Sequence, residues 1–407
     1  MKILKILDHQ QMAGTELSAH ASAQALSRRG HQVYLLHNLE KDFALDYYTD
    51  QLGYPEAFQV KPRLNFLSKV DLNKITRFIS ENQIDIAHVH MNCRQEVSAV
   101  ICGLVPTLFT RHVPLCPNGA KYLWRHERAC QSSPSIKRCV KGYLHDDCGT
   151  LGGGQLWSMR GFAYQLLYSY PQVVNSLNQY SRIITVSRAH QHEIQRDFEL
   201  GDRVIYVPEP IIDNNCIKNF TVNPVSIAPV IFAAGRLVSF KGFHHLIEAC
   251  GRLTKPYKLI IAGDGPEKER LIGLAFEHGI RDKVDILGHV HYDHIQALYA
   301  SSSLCVVPSL LRETLCRVGI EAMAWGKPIV AYHQGGVEDW LRDGVNGIAV
   351  SPGDISGLSQ AIERLLNDLQ LCRSFGDAGK EISEEWTLEN HASELEKVME
   401  STLKTYA

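Results

Sequence analysis

Short apolar runs alternate with longer amphipathic stretches along most of the chain. In the first half the apolar runs include "KILKILD", "HQVYLLH", "DIAHVH", "TLFTRH" and "RIITVS". The stretch "TELSAHASAQALSRRG" between the first two has the spacing of a helix. Strands that alternate with helices are typical of parallel sheets connected by crossover helices. The pattern therefore predicts an α/β fold for this half.

The second half repeats this alternation after a break in the pattern. Prolines punctuate a polar stretch at 209–228, and new apolar runs follow from "VIFAAG" to "GIAV". We place the domain boundary in this stretch, between doubly wound domains at 1–208 and 229–385. Residues 386–407 have apolar positions at near-helical spacing, which predicts an amphipathic helix that packs back on the N-terminal domain.

Composition favours two globular domains in a reducing compartment. The chain has 407 residues, of which 45% are hydrophobic, enough for two cores. Residues 1–205 carry 23 Lys and Arg against 18 Asp and Glu, and 206–407 carry 19 against 26, so the halves differ in charge. Apolar runs of about eight residues are too short to span a bilayer. Because eleven cysteines occur without a secretory signal, we expect a cytoplasmic protein.

Two glutamates eight positions apart mark a candidate ligand site. Glu313 follows the apolar run "LCVVPS", and Glu321 lies in a predicted helix, 315–325, before the run "PIVAY". Glu313 is therefore expected in a loop at the carboxyl end of a strand, where open parallel sheets bind ligands. A carboxylate on an apolar helix needs a partner, which is a ligand hydroxyl, a lysine or solvent.

A second candidate site is the loop "AAGRLVSFKG", which follows a strand and opens a helix. Gly235 and Gly242 allow close backbone approach, and the helix N-terminus together with Arg236 and Lys241 would attract a diphosphate. The loop is neither a Walker motif nor a G-x-G-x-x-G fingerprint, and two surface cations are the alternative interpretation.

These motifs together resemble those of glycosyltransferase family 4, retaining enzymes of the GT-B architecture. The resemblance extends to the first half, and the region 113–178 lacks a clear counterpart. It implies two Rossmann-like domains that face each other across a cleft, with the nucleotide sugar in the second. The motifs that carry it are "GRLVSFKG", "LIIAGDGPEKERL", "VDILGHVHYDHIQALYASSSLCVVPS", "RETLCRVGIEAMAWGKPIV" and "MAGTELSAHASAQALSRRGHQV".

The resemblance implies a role for each motif residue. Glu321 would bind the ribose hydroxyls, Glu313 the donor sugar, and Arg236 with Lys241 the diphosphate. His112 in "TRH" matches a histidine that contacts the donor sugar near the reacting centre, so the implied catalytic residues are His112, Glu313, Arg236 and Lys241. The implied donor-binding residues are Gly14, Gly235, Arg236, Lys241, Gly263, Gly288, Glu313, Thr314, Leu315, Cys316 and Glu321.

Several positions depart from the family pattern. Ala13 replaces the first glycine of the family's G-G-x-E loop, Cys316 replaces a glycine near the sugar, and "VPEPIID" replaces the usual P-N-G-V-D hinge. His88 and His90 share one strand face, where we expect packing for the first and support of the site for the second. No D-x-D triplet occurs, so we expect a reaction that needs no metal ion.

The unmatched region combines cysteines with basic residues. Cys116, Cys130, Cys139 and Cys148 lack a C-x-x-C spacing, so a structural zinc, disulfides and free thiols all stay open. The segment from Arg111 to Lys141 contains seven cations and a single acidic residue. It is either a solvated basic loop or a surface for an anionic acceptor or membrane. If the acceptor is an anionic lipid diphosphate, we expect the protein to associate peripherally with the inner face of the membrane by electrostatic attraction.

The sequence as a whole favours a retaining glycosyltransferase in cell-surface polysaccharide or glycolipid biosynthesis. Its donor would be a UDP- or GDP-sugar, and its acceptor a glycan or a lipid diphosphate. Two alternatives are a sugar-nucleotide epimerase of the same architecture and a non-catalytic glycan-binding protein. The paired glutamates and the two cations favour the transferase, because a site without activity has no physical reason to keep these converging charges.

Overall fold

The computed structural model describes most of the chain as two compact units. The described residues are 1–7, 14–37, 57–59, 69–90, 95–148, 158–213 and 228–406. The first unit comprises Met1–Pro117, Ala163–Ile211 and Glu385–Ala407. The second comprises Asn118–Phe162 and Ile212–Glu384.

The strands and helices follow the predicted alternation. The strands are β1 (Lys2–Ile6), β2 (Gln32–His37), β3 (Ala57–Gln59), β4 (Ile86–Val89), β5 (Thr107–Arg111), β6 (Tyr122–Leu123), β7 (Arg128–Ala129), β8 (Arg182–Thr185), β9 (Val204–Tyr206), β10 (Val230–Ala234), β11 (Lys258–Ala262), β12 (Val284–Ile286), β13 (Leu304–Val307), β14 (Ile329–Tyr332) and β15 (Gly347–Val350). The helices are α1 (Gly14–Arg28), α2 (Lys69–Glu81), α3 (Gln95–Cys102), α4 (Ile136–His145), α5 (Met159–Tyr164), α6 (Tyr170–Leu177), α7 (Arg188–Asp197), α8 (Phe243–Gly251), α9 (Lys268–Glu277), α10 (Tyr292–Ser301), α11 (Arg317–Ala324), α12 (Val337–Trp340), α13 (Ile355–Asn367), α14 (Leu369–Ser383) and α15 (Leu388–Tyr406).

The first unit is built around a parallel sheet with strand order β3-β2-β1-β4-β5-β8-β9. Successive residues of β1 point to opposite faces, so Ile3 joins the core on one face and Leu4 the core on the other. Helix α15 packs against α1 and contributes Leu395 and Met399 to the first of these cores.

The second unit has a parallel sheet with strand order β12-β11-β10-β13-β14-β15. Its central strands are apolar throughout because helices cover both faces of the sheet. Gly319 in α11 packs on the buried Trp340, and a Cβ at this glycine would lie 2.2 Å from the indole ring. The close packing fixes α11, the helix that carries Glu321.

The region Asn118–Phe162 belongs by its contacts to the second unit, whereas the sequence analysis placed the insertion 113–150 in the N-terminal domain. Its two short strands, β6 and β7, form an antiparallel pair around the turn Trp124–His126. Tyr122 and Trp124 pack on Phe240, with ring centroids 5.9 and 5.6 Å apart. These aromatic contacts are the physical reason for the difference, and apolar periodicity does not reveal them.

Within the part of the chain that the structure describes, every helix is too short or too polar to cross a membrane.

Candidate active site

The loops after β10 and β13 meet at the point where the strand order of the second sheet reverses. Ligands bind at this position in open α/β sheets. The two loops, 235–242 and 308–316, make close backbone contact. A Cβ at Gly242 would lie 2.0 Å from the carbonyl oxygen of Pro308, and the φ of this glycine is +69°. Glycine is therefore required at this contact, which brings Lys241 to the second loop.

Lys241 and Glu313 form an ion pair between these loops. The Lys241 ammonium lies 2.6 Å from Oε1 of Glu313, and the Ser309 hydroxyl donates to the same oxygen at 2.7 Å. Burial alone would lower the pKa of Lys241, but the charge and hydrogen bond of Glu313 raise it above its usual value. The side chains are 25% and 13% exposed, so a ligand can reach a lysine that stays protonated.

Glu321 is held by a different set of partners on α11. The Tyr299 hydroxyl donates to its Oε2 at 2.8 Å, and Arg317 lies 3.6 Å from its Oε1. Burial, followed by the charge of Glu321, raises the pKa of Tyr299 well above its usual value, so this hydroxyl remains a donor. The carboxylate thus accepts a hydrogen bond from a neutral hydroxyl and forms an ion pair with an arginine, and neither partner is a lysine.

Three of the predicted glycines converge at the ends of neighbouring strands. The Gly263 amide donates to the carbonyl of Gly288 at 2.8 Å, and the Gly235 amide donates to that of Ala262 at 2.9 Å. A Cβ at Gly263 would lie 1.8 Å from the carbonyl oxygen of Gly235. These close backbone contacts require glycine here, and the exposed Arg236 follows Gly235 with its guanidinium 5.7 Å from the centre of the Phe240 ring.

The loop Thr314–Cys316 leads from the ion pair into α11. Cys316 has the left-handed φ of 67° that glycine tolerates best, which accords with the expected glycine at this position. Burial, followed by the charge of Glu313, raises the pKa of its thiol to about 12, so the side chain is a neutral thiol. Leu315 is buried, and its carbonyl accepts from the Trp340 indole at 2.7 Å.

His112 lies at the end of β5 in the first unit and is held by two neighbours. Its Nδ1 is 2.7 Å from Oε1 of Glu209, and its Nε2 is 3.5 Å from Nδ1 of His90. The rings of His90 and His112 stack with centroids 5.8 Å apart. If His112 donates to Glu209 through Nδ1, its Nε2 can accept from His90, and one tautomer satisfies both contacts.

Lys5 lies beneath this pair with its ammonium fully buried. Its Nζ contacts Nδ1 of His88 at 2.8 Å, Nε2 of His90 at 3.2 Å and the Ser22 hydroxyl at 2.8 Å. Burial lowers the pKa of Lys5 and of both histidines well below their usual values. Ser22 in turn contacts His391 of α15 at 2.7 Å, and burial lowers the pKa of that ring to about 3.

Models of known protein families match both halves of the chain. A family model described as Glycosyltransferase Family 4 matches residues 12–214, and one described as Glycosyl transferases group 1 matches residues 220–382. The chain belongs to the family 4 glycosyltransferases. The two models match residues of both units, and the matched ranges contain His112 in the first and Lys241, Glu313 and Glu321 in the second.

Individual relatives support the same family over shorter stretches. Alpha-D-kanosaminyltransferase of Streptomyces kanamyceticus is 36% identical over 146 residues, which cover 35% of this chain and 38% of that protein. The lipopolysaccharide core biosynthesis glycosyltransferase LpsE of Rhizobium meliloti is 37% identical over 154 residues, which cover 38% and 44%. The chain thus spans less than half the length of these curated relatives.

Solved structures show the fold over the whole chain. Anabaena HepE in complex with UDP matches with a TM-score of 0.72 at 21% identity, covering 98% of this chain and all of that one. A glycosyltransferase from Rickettsia africae matches with a TM-score of 0.74 at 16% identity, covering 99% and 98%. The fold is GT-B, with two Rossmann-like domains, as the sequence predicted.

The remaining predicted residues lie apart from these clusters. Gly14 begins α1 and is exposed, and Ala13 lies outside the described residues. Of the four clustered cysteines, Cys116 belongs to the first unit, whereas Cys130, Cys139 and Cys148 belong to the second. Among the described residues, all four lie outside disulfides and no three of them are close enough to share an ion.

Sequence reasoning missed several residues that hold the site. Ser309 and Tyr299 bind the two glutamates, yet neither has a spacing that distinguishes it from an ordinary loop or helix residue. Lys5 and Glu209 did leave a signal. A lysine in the middle of an apolar strand and a glutamate in an altered hinge both require buried partners.

Proposed function

We propose that the protein is a retaining glycosyltransferase that transfers a sugar from a UDP- or GDP-sugar to a glycan or lipid-linked acceptor. The observation that carries this proposal is the Lys241–Glu313 ion pair at the reversal point of the second sheet. The pair lies at the edge of the sheet where open α/β sheets bind ligands, which supports binding of a sugar diphosphate there. The pathway would be the synthesis of cell-surface polysaccharide or glycolipid.

The chemistry requires stabilisation of the leaving diphosphate. Its negative charge grows as the bond to the sugar breaks, through a transition state that resembles an oxocarbenium ion. Lys241 is protonated and fixed in position, and Arg236 is exposed beside it, so the two can stabilise this charge without reorganisation. Glu313 would contact the sugar and keep Lys241 aligned, and Glu321 would bind the ribose hydroxyls.

The comparisons support this proposal for the donor and the acceptor class. Anabaena HepE has been solved with UDP and with UDP-glucose. The similar LpsE of Rhizobium meliloti is a lipopolysaccharide core biosynthesis enzyme by its name. By analogy, we assign a nucleoside diphosphate sugar as donor and a growing surface glycan as acceptor.

A donor panel with product analysis tests the function. The protein should release a nucleoside diphosphate from one UDP- or GDP-sugar, and an acceptor should increase the rate. NMR of the product should show the anomeric configuration of the donor. Release of an isomerised sugar nucleotide would instead indicate an epimerase, and binding without release would indicate a glycan-binding protein.

We propose further that the reaction needs no metal ion, because side chains neutralise the donor phosphates. Turnover in EDTA should equal turnover in its absence. Lost activity that magnesium or manganese restores would contradict this assignment.

We also propose that helix α4 attaches the protein to anionic membranes. Of the seven cations expected in this role, Arg111 and Lys121 are buried, so they serve the fold instead. Lys137, Arg138 and Lys141 of α4 are exposed. An apolar stripe accompanies them, with exposed fractions of 61%, 38% and 55% at Ile136, Val140 and Leu144. Amphipathic basic helices of this kind bind the surface of anionic bilayers.

Liposome co-sedimentation tests this attachment. The protein should bind anionic vesicles more strongly than neutral ones, and high salt should weaken the binding. Glu substitutions at Lys137 and Lys141 should abolish it, whereas Lys255→Glu, on an exposed loop of the second unit, should have little effect. If the protein binds neither vesicle type, α4 is a solvated surface helix and the proposed membrane attachment is wrong.

A further inference from the structure

Two adjacent histidines of the second unit face a glutamate of the insertion. His244 and His245 lie in the first turn of α8, and Glu127 follows the turn Trp124–His126. One ligand atom from each residue lies within 4.8 Å of the others. Oε2 of Glu127 is 3.4 Å from Nε2 of His244 and 3.9 Å from Nε2 of His245. We propose that these three residues bind a divalent transition metal ion of the zinc class.

The donor set suits such an ion. Two imidazole nitrogens and one carboxylate oxygen are ligands that Zn²⁺ accepts, and three protein ligands leave a position for water. Nδ1 of His245 lies 3.0 Å from the Tyr332 hydroxyl. This contact occupies one ring nitrogen and leaves Nε2 for the metal, as outer partners of metal-bound histidines do.

The two histidines are also in the protonation state that a metal requires. Burial lowers the pKa of His244, and burial with the neighbouring His244 lowers that of His245 to about 4. Both rings are therefore neutral near pH 7, so an ion displaces no proton from them. Arg270 also acts on His244, but it forms an ion pair with Glu267, which offsets its charge.

The backbone of the insertion supports the same conclusion. Glu127 has a left-handed conformation, φ 44° and ψ 42°, which costs free energy in a residue that is not glycine. Tyr122 is 1% exposed, and among the described residues its hydroxyl has no hydrogen-bond partner. Burial, followed by the Glu127 charge, raises the pKa of this hydroxyl, so it stays protonated and can donate to a ligand.

The ion would join the insertion to the helix that begins just after Lys241. His244 is three residues beyond Lys241, and Tyr122 and Trp124 pack on Phe240 of the same loop. We therefore assign the ion a structural role, in which it fixes the hairpin β6–β7 against α8. This role is independent of sugar transfer and does not require that the donor be identified.

Zinc titration of the full-length protein after dialysis against a chelator tests the proposal. The wild type should bind one Zn²⁺ at this site, and its melting temperature should rise by several degrees in the presence of excess zinc. Glu127→Gln and His244→Gln should each raise the Kd by at least tenfold. Tyr332→Phe keeps the packing and removes only the hydroxyl, so it should raise the Kd about tenfold or more. His126→Gln, in the same hairpin, is the matched control and should bind as the wild type does.

Two further measurements distinguish loss of the metal site from loss of the fold and from zinc bound by cysteines. Circular dichroism and the melting temperature of each metal-free variant should match those of the metal-free wild type. The visible spectrum of the Co²⁺ complex should lack bands of thiolate ligation, and serine at Cys130, Cys139 and Cys148 should leave zinc binding unchanged. Zinc affinity that survives both Glu127→Gln and His244→Gln, or that depends on the cysteines, would overturn the proposal.

Discussion

The two units share a strand order but differ in where they place a lysine, which is partly exposed in the second unit and buried in the first. In each sheet the strand order reverses beside the first strand of the unit, β1 in one and β10 in the other. At this point the second unit pairs Lys241 with Glu313 in partly exposed loops. The first unit instead buries Lys5 in β1, among histidines whose pKa values are lowered. The same topology thus supports a charged pair in partly exposed loops and a buried lysine among histidines whose pKa values are lowered.

This difference indicates that the two units have different roles in the proposed reaction. Fixed charges in the second unit suit a diphosphate that arrives already charged and leaves with more charge. The first unit has a chain of contacts, Lys5–His90–His112–Glu209, which orients one imidazole. We expect substitutions in the second unit to change donor binding and rate strongly, and those in the first to act through the position of His112 and through pH.

The largest effect is expected for Lys241→Ala. The lysine stabilises charge that develops only in the transition state, so kcat should fall by about a hundred- to a thousandfold while donor affinity changes less. Steady-state release of nucleoside diphosphate measures both constants. Lys255→Ala, an exposed lysine of the same unit, is the control and should keep wild-type kinetics. A change in KM alone would contradict the assignment of Lys241 to stabilising charge in the transition state.

A smaller effect is expected for Glu321→Ala. Losing hydrogen bonds to a charged group costs ~1.5–3 kcal/mol, so affinity for the free nucleoside diphosphate should fall about ten- to a hundredfold. Tyr299→Phe, which removes only the hydroxyl donor to this carboxylate, should weaken binding by less. Calorimetric titration measures both variants. Unchanged affinity in Glu321→Ala would show that the ribose is held elsewhere.

The first unit should respond to Glu209→Gln. The amide keeps the shape of the carboxylate but lacks its charge, so His112 is held less firmly. We expect kcat to fall about tenfold, near the ~1.4 kcal/mol of one hydrogen bond, with nucleotide affinity unchanged. Kinetics and calorimetry on one preparation separate the two. Reduced nucleotide affinity in this variant would break the division between the units.

The last prediction concerns the stability of the fold against pH and not catalysis. Burial holds the pKa of His391 at about 3, below its unfolded value near 6.5. Below pH 6.5 the unfolded chain therefore binds a proton that the folded chain does not, and stability falls as pH falls. His391→Gln should make this loss shallower by up to ~1.4 kcal/mol per pH unit between pH 6 and 4. Urea unfolding measures it, and the exposed His192→Gln should keep the wild-type slope.

Much of the fold and of the charged site could be predicted from the sequence. The strand and helix alternation gives both sheets, because apolar runs in parallel sheets are buried on both faces. Glu313, Arg236 and Lys241 could be identified from the sequence because they lie in loops that follow strands, and Glu321 because it lies in the helix after the second loop. Residues that are close in sequence keep their order along strand, loop and helix, so the spacing of a motif is enough to predict their positions.

Contacts between distant segments could not be predicted. The link from His112 to Glu209 joins residues 97 positions apart, and His391 reaches Ser22 across 369 positions. The place of the insertion in the second unit depends on two aromatic rings that pack on Phe240. Interactions of this kind depend on tertiary packing, which no short window of sequence contains.

The central claim is that the reversal point of the second sheet binds the nucleoside diphosphate. A crystal structure of the protein soaked with UDP or GDP tests it most directly. The account predicts a phosphate within hydrogen-bonding distance of Lys241 Nζ, and the ribose hydroxyls on the Glu321 carboxylate. A nucleotide bound away from these two side chains would contradict it.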